Sequence, residues 1–298
     1  MPDIDNTCAG ADPAPRAPKH LPPPGACDCH AHIFGPANQY PYCRKRKYTP
    51  PDASLAAYCH MLKTLGLSRG VIVQPSVYGF DNRATLDAVK AGKGNFKGVV
   101  VIDPEVISDG ELDHMHHIGV RGVRINQAYD EALDMKYLHK VVERIRRLGW
   151  HLQLFVNLNR FPDFKRHLIE LPVDVVIDHM GFIDVAKGLS NQQFQDLLAL
   201  LETGKCWVKL SGAYRISVQT KAPYSDATPF AKALVKANPD RCVWATDWPH
   251  PHLNIPVPND GDLLDLLSLW VPDEKLRNRI LIDNPANLYG FSAIDAGR

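Results

Sequence analysis

From Ala26 onward the chain repeats one pattern. A short apolar or β-branched run ends in polar residues, and a longer stretch follows in which apolar positions recur every three or four residues. The short runs at 26–33, 69–75, 96–103, 120–126, 151–157, 173–179, 206–212 and 241–247 predict strands. The stretches near 53–66, 82–92, 109–118, 136–149, 160–170, 191–203, 227–238 and 260–282 predict helices. In 136–149 the helical period is carried by Tyr137, Leu138, Val141, Val142, Ile145 and Leu148, with Gly149 as the stop. The strands read as near-continuous apolar runs, which suits a parallel sheet covered by helices. Eight strand–helix units over about 270 residues match the count and size of a single α/β (β/α)₈ barrel. An open doubly wound sheet is the alternative, but it would need a Gly-rich phosphate loop after the first strand, and none is there. Residues 1–24 hold seven prolines and little that is apolar, and are expected to form a disordered or loosely draped arm before a barrel domain spanning 25–298.

Composition narrows the partners. The chain has 298 residues with a net charge of +1, so no field favours nucleic acid or an anionic membrane. No apolar run approaches the roughly 20 residues of a membrane span, and the N-terminus has no signal-peptide core. Seven scattered cysteines read as reduced thiols, so a cytoplasmic protein is expected. Cys27 and Cys29 have the wrong spacing for half a zinc motif. By strand alternation they should face away from His30 and His32, packed under a helix. Asp28 would then share the inward face with His30 and could orient its imidazole.

If the barrel is right, polar residues at the C-terminal strand ends meet at one mouth. Strand one brings His30 and His32, and strand two Gln74 and Ser76. Strand three brings Asp103, strand four Arg124 and Asn126, and strand five Asn157. Strand six brings Asp178 and His179, strand seven Ser211 with Arg215 beyond, and strand eight Asp247 followed by Trp248-Pro249-His250-Pro251-His252. The first and last strands are neighbours in a closed barrel, so His30, His32 and Asp247 should lie side by side with His179 across from them. Such a carboxylate can accept a proton from water, while the imidazoles, or a metal they hold, polarise a carbonyl. Asp178 has the opposite parity to His179 and is expected to face or cap a helix. Asp103 should shape the turn at Pro104. His151, His114, His116 and His117 are expected to be structural or surface residues, and His250 and His252 are either pocket rim or turn residues. The basic run Arg44-Lys45-Arg46-Lys47 lies in the long 35–52 connection over the mouth and reads as a solvated face, or as a guide for an anionic substrate.

These motifs resemble the amidohydrolase superfamily, in the branch of lactone hydrolases that includes 2-pyrone-4,6-dicarboxylate hydrolase and 4-sulfomuconolactone hydrolase. The resemblance runs from about Pro22 to Phe291. It is carried by the strand-one HxH, Ile177-Asp178-His179-Met180-Gly181, Thr246-Asp247-Trp248-Pro249-His250-Pro251, Lys47-Tyr48, Val73-Gln74-Pro75-Ser76, Gly122-Val123-Arg124-Ile125-Asn126 and Asn284-Pro285-Ala286-Asn287-Leu288-Tyr289-Gly290. It implies that Asp247 activates water and that His30, His32 and His179 polarise a lactone carbonyl. Arg124, Arg215, Tyr48, Ser76 and Asn157 would hold the substrate. The bridging Lys or strand-five His of binuclear members is absent, so a single zinc ion on His30, His32, His179 and Asp247 is expected. The branch also contains metal-free members. Pyrone dicarboxylate hydrolases carry a further Arg after strand four, where this chain has Gln127-Ala128-Tyr129-Asp130. They have a Tyr where it has Phe155 and a His where it has Tyr78. The expected function is hydrolysis of a small anionic lactone in aromatic-compound catabolism, with 4-sulfomuconolactone or a related carboxylated muconolactone ahead of pyrone dicarboxylate. A zinc-dependent decarboxylase of the same superfamily is the alternative, and a homo-oligomer is left open.

Overall fold

Each apolar run becomes a strand buried on both faces. The strands are β1 (Cys27–Ala31), β2 (Arg69–Val73), β3 (Phe96–Val100), β4 (Val120–Asn126), β5 (His151–Phe155), β6 (Val175–Ile177), β7 (Cys206–Leu210) and β8 (Cys242–Trp244). In the computed structural model, in which residues 7–127 and 137–292 are described, they pair in parallel in sequence order from β1 to β8. The Gln127-Ala128-Tyr129-Asp130 departure lies almost wholly outside the described residues. The seam between β8 and β1 is closed by a few bonds. Asp247 N–H donates to His30 O at 2.9 Å, His32 N–H donates to Trp248 O at 2.8 Å, and Thr246 N–H donates to the Asp28 carboxylate at 2.9 Å.

The helices are α1 (Leu55–Leu65), α2 (Arg83–Ala91), α3 (Asp109–Ile118), α4 (Leu138–Ile145), α5 (Phe164–Ile169), α6 (Gln192–Glu202), α7 (Ala213–Ile216), α8 (Thr228–Ala237), α9 (Asp260–Trp270), α10 (Glu274–Asn278) and α11 (Asn284–Tyr289). The stretch expected as one helix over 260–282 is broken. Pro272 disfavours helical backbone at Val271, so α9 stops and α10 restarts on the Asp273 cap. The arm starts at a bridge between Thr7 and Thr49 and then reaches α9, where Arg16 pairs with Asp262 and Asp265, both at 2.6 Å. No helix among the described residues is long and apolar enough to cross a membrane.

Inside the ring, Cys27, Cys29, Val71, Val73, Val99, Val176, Trp207, Val243 and Ala245 form one buried cluster with Tyr289 and Phe291. This corrects the expectation that the two cysteines face outward. The β1–β2 register shifts between Asp28 and Ala31. A bulge there inserts a residue and breaks the alternation, so both Cys29 and His30 point inward. Asp28 instead points outward, where it accepts from Tyr58 Oη of α1 at 3.1 Å. It also accepts from the His30 backbone N–H at 3.1 Å, so it supports the His30 main chain and not the imidazole. His151 sits within the barrel against the Tyr289 ring, facing Gly122, where a Cβ would lie 2.4 Å from its Nε2. Burial pushes its pKa down to about 3.

Candidate active site

Three strand ends converge as the pattern predicts. His30 Nε2, His32 Nε2 and His179 Nε2 lie 3.7, 3.6 and 3.6 Å from one oxygen, Asp247 Oδ1, and all four residues are buried. His30 Nε2 and His32 Nε2 are 3.2 Å apart. His32 Nδ1 lies 2.7 Å from Val73 O. A carbonyl can only accept, so that nitrogen carries the proton and Nε2 presents a lone pair to the centre. His179 Nδ1 bonds Ser211 Oγ at 2.9 Å. His179 reaches inward because its backbone is left-handed, with φ of 50°. Gly212 lies over it, and a Cβ there would be 2.9 Å from His179 Cβ, so this position needs glycine. Burial lowers the pKa of all three rings, that of His30 well below 6.5 and that of His179 to about 4, so the rings are neutral near pH 7.

Asp247 is held from behind. Its Oδ2 accepts from Tyr214 Oη and from Arg215 Nε, each at 2.7 Å. Burial would raise this carboxyl, but Arg215 and the histidines outweigh burial and hold it well below the usual carboxylate range. Tyr214 Oη also bonds His250 Nδ1 at 2.9 Å, and His250 Nε2 bonds Asp260 Oδ1 at 3.0 Å. His250 is thus a buried link behind Asp247. His252 lies at the cavity wall, stacked on Tyr48 at 5.2 Å.

Asp178 departs from expectation. It faces the barrel interior, because Val176 on the same strand points inward and Asp178 keeps that parity. Its Oδ1 lies 3.2 Å from Lys209 Nζ and 3.3 Å from His30 Nδ1, and its Oδ2 lies 3.3 Å from Arg124 Nε and accepts from Gln153 Nε2 at 3.0 Å. Lys209 Nζ also contacts His30 Nδ1 at 3.1 Å and donates to Gln153 Oε1 at 2.8 Å. Burial would raise the Asp178 carboxyl, but Lys209, His30 and Arg124 hold it well below its ordinary value. Lys209 and Gln153 escaped the sequence reading, which searched strand ends only. The signal was present, since a Lys or Gln at the middle of an otherwise apolar, buried strand must have a partner.

The other expected substrate contacts are dispersed. A cavity of about 270 Å³ is lined by Phe155, Phe161, Phe182, Asn157, Arg215 and His252, among others. Phe155 packs edge-on against His179, and Arg215 touches Asp247, so this cavity adjoins the centre. Arg124 is buried beneath Phe155, its guanidinium 5.1 Å from the ring, and does not line the cavity. Tyr48 stacks on His252 of the cavity wall. Ser76 begins a short 3₁₀ turn away from the wall.

The donor set fits a metal ion. Tetrahedral zinc with imidazole bonds of about 2.0–2.1 Å sets ligand atoms roughly 3.3 Å apart, close to the spacing of the two Nε2 atoms. His30, His32 and Asp247 form one group able to bind a metal, and His30, Asp178 and His179 form another.

Residues 27–291 match the amidohydrolase family. The chain belongs to that family. It is 39% identical over 285 residues to a 2-pyrone-4,6-dicarboxylate hydrolase of Comamonas testosteroni, covering 92% of this chain and 93% of the relative. It is 38% identical over 293 residues to a 4-sulfomuconolactone hydrolase of Hydrogenophaga intermedia, covering 97% and 96%. A crystal structure of an Agrobacterium tumefaciens protein superposes with a TM-score of 0.84 at 28% identity, covering 93% of this chain and all of that one. This amidohydrolase is therefore a (β/α)₈-barrel hydrolase.

Proposed function

We propose that this amidohydrolase opens a small anionic lactone of aromatic-compound catabolism, with 4-sulfomuconolactone or a related carboxylated muconolactone as substrate. The observation that carries this reading is the orientation of Asp247. One oxygen is fixed by Tyr214 and Arg215, and the other faces three neutral imidazoles beside a cavity walled by phenylalanines. Asp247 Oδ1 takes a proton from water as the water oxygen attacks the ring carbonyl. The tetrahedral species collapses as the ring C–O bond breaks, and Asp247 returns the proton to the leaving oxygen. His30, His32 and His179 stabilise the oxyanion. A zinc ion held by these three residues and Asp247 would supply Lewis acidity at that carbonyl. Arg215, which lines the cavity, takes an anionic group of the substrate, and Asn157 supports it from the β5 end. Arg124 sits behind Phe155, paired with Asp178.

Pyrone dicarboxylate is the second reading, favoured by the Comamonas relative. Phe155 and Tyr78 stand against it: Phe155 offers no hydroxyl, and Tyr78 Oη is engaged with the Gly35 N–H at 2.8 Å. Both relatives named above are lactone hydrolases, which places decarboxylation behind hydrolysis. Protein purified without added metal should carry about one zinc per chain and open sulfonated or carboxylated lactones. Asp247→Asn should keep the fold by circular dichroism and lower kcat by about 10²–10⁴-fold. Turnover near the wild-type rate in that variant overturns the role of Asp247, and full turnover in metal-free protein overturns zinc alone.

A further inference from the structure

Both arginines expected as substrate clamps touch carboxylates of the protein itself, and of the two only Arg215 lines the cavity. Arg124 pairs with Asp178 and is capped by Phe155. Arg215 spends Nε on Asp247 and Nη2 on Pro251 O, at 2.7 and 3.1 Å. A substrate with two anionic groups therefore needs a further cation, and the cavity wall has one. Arg160 lines the same cavity as Arg215. Among the described residues its side chain makes no ion pair or hydrogen bond, and it is exposed at the rim. Its backbone is fixed by a 3₁₀ turn, Leu158–Arg160, closed by Asn157. Asn157 Oδ1 accepts from Asn159 N–H at 3.0 Å, and its carbonyl accepts from Arg160 N–H at 2.9 Å. Phe155, Phe161 and Phe182 of the same wall suit the face of a ring, and its other polar groups, Gln127, Asn157, His252 and Asn254, carry no fixed positive charge.

Arg215 is partly neutralised by Asp247, whereas Arg160, on the same small cavity, has no carboxylate partner among the described residues and so favours an anion there. We propose that Arg160 is the distal anion clamp of this cavity: of two anionic groups on the lactone, one faces Arg215 and the other Arg160. This rests on the lactonase reading above and adds to it the residue that selects the second charge. An Arg clamps carboxylate or sulfonate through paired N–H donors, so Lys can replace it only in part.

The test compares Arg160→Met and Arg160→Lys with wild type on two matched lactones, one carrying two anionic groups and one carrying a single group. Arg160→Met removes a charge-assisted contact, so it should raise KM for the two-charge lactone roughly 10–100-fold. The single-charge lactone should stay within about 2-fold, and Arg160→Lys should fall between. Equal effects on both lactones, or none, overturn the proposal. Calorimetric binding of phthalate, a non-hydrolysable aromatic dianion, separates this outcome from failure of the lactonase reading. If wild type opens neither lactone but binds phthalate about 10-fold or more tightly than Arg160→Met does, the clamp stands and the reaction assignment falls. Equal phthalate binding by both proteins, or none by wild type, overturns the clamp.

Discussion

Asp178→Asn is the sharpest test of the buried network. The amide keeps the size of the carboxyl but removes the counter-charge shared by Lys209 at 3.2 Å and Arg124 at 3.3 Å. At an effective dielectric constant near 20, one such pair has a Coulomb energy of roughly 5 kcal/mol, an upper scale because the cations can relax. Removing one partner of a buried pair typically costs about 3–5 kcal/mol. At about 2–3 °C per kcal/mol for a chain this long, Tm should fall by roughly 6–15 °C. Lys209→Met should cost less, about 1–2 kcal/mol, because it leaves one carboxylate facing one arginine. The double variant Asp178→Asn/Lys209→Met should then be more stable than Asp178→Asn alone, with a coupling of about 1–3 kcal/mol. Urea unfolding followed by tryptophan fluorescence measures all three, since Trp207 lies in the same barrel interior. The reasoning fails if Asp178→Asn lies within about 1 kcal/mol of wild type, or if the two changes simply add.

Two further predictions follow from the same packing. Tyr214→Phe removes the hydroxyl that donates to Asp247 Oδ2 but leaves Arg215 in place, so kcat should fall about 10-fold with KM nearly constant, as steady-state kinetics will show. His151 should make the fold acid-sensitive: its folded pKa is depressed to about 3, so the unfolded chain binds a proton first as pH drops below 6.5, and stability is lost from there down to about pH 3. In His151→Gln the urea midpoint should fall less steeply over that window, and an unchanged slope would contradict the assignment.

The barrel could be read from the chain because eight runs buried on both faces leave few other architectures. The meeting of His30, His32, His179 and Asp247 followed from strand order alone. What failed was parity. A one-residue bulge after Asp28 reversed the assigned directions of Cys27, Cys29 and Asp28, and the left-handed backbone at His179 allowed it and Asp178 to point the same way. Neither feature has a composition signal strong enough to find in a single sequence. Lys209 was missed for a different reason. Attention to strand ends passed over the interior, where a lysine among Trp207, Val208 and Leu210 marks a buried partner.

The seam that joins β8 to β1 also bears on how the protein is made. The bonds that close the ring join Asp28, His30 and His32 to Thr246, Asp247 and Trp248, and the interior is completed by Tyr289 and Phe291. Contacts over such separations form late, because a long loop must be closed before they can. During synthesis the first strands therefore leave the ribosome with an open hydrogen-bonding edge and wait for almost the entire chain before they can be sealed. A stall or truncation upstream of Thr246 should yield an aggregation-prone open sheet and not a smaller working barrel.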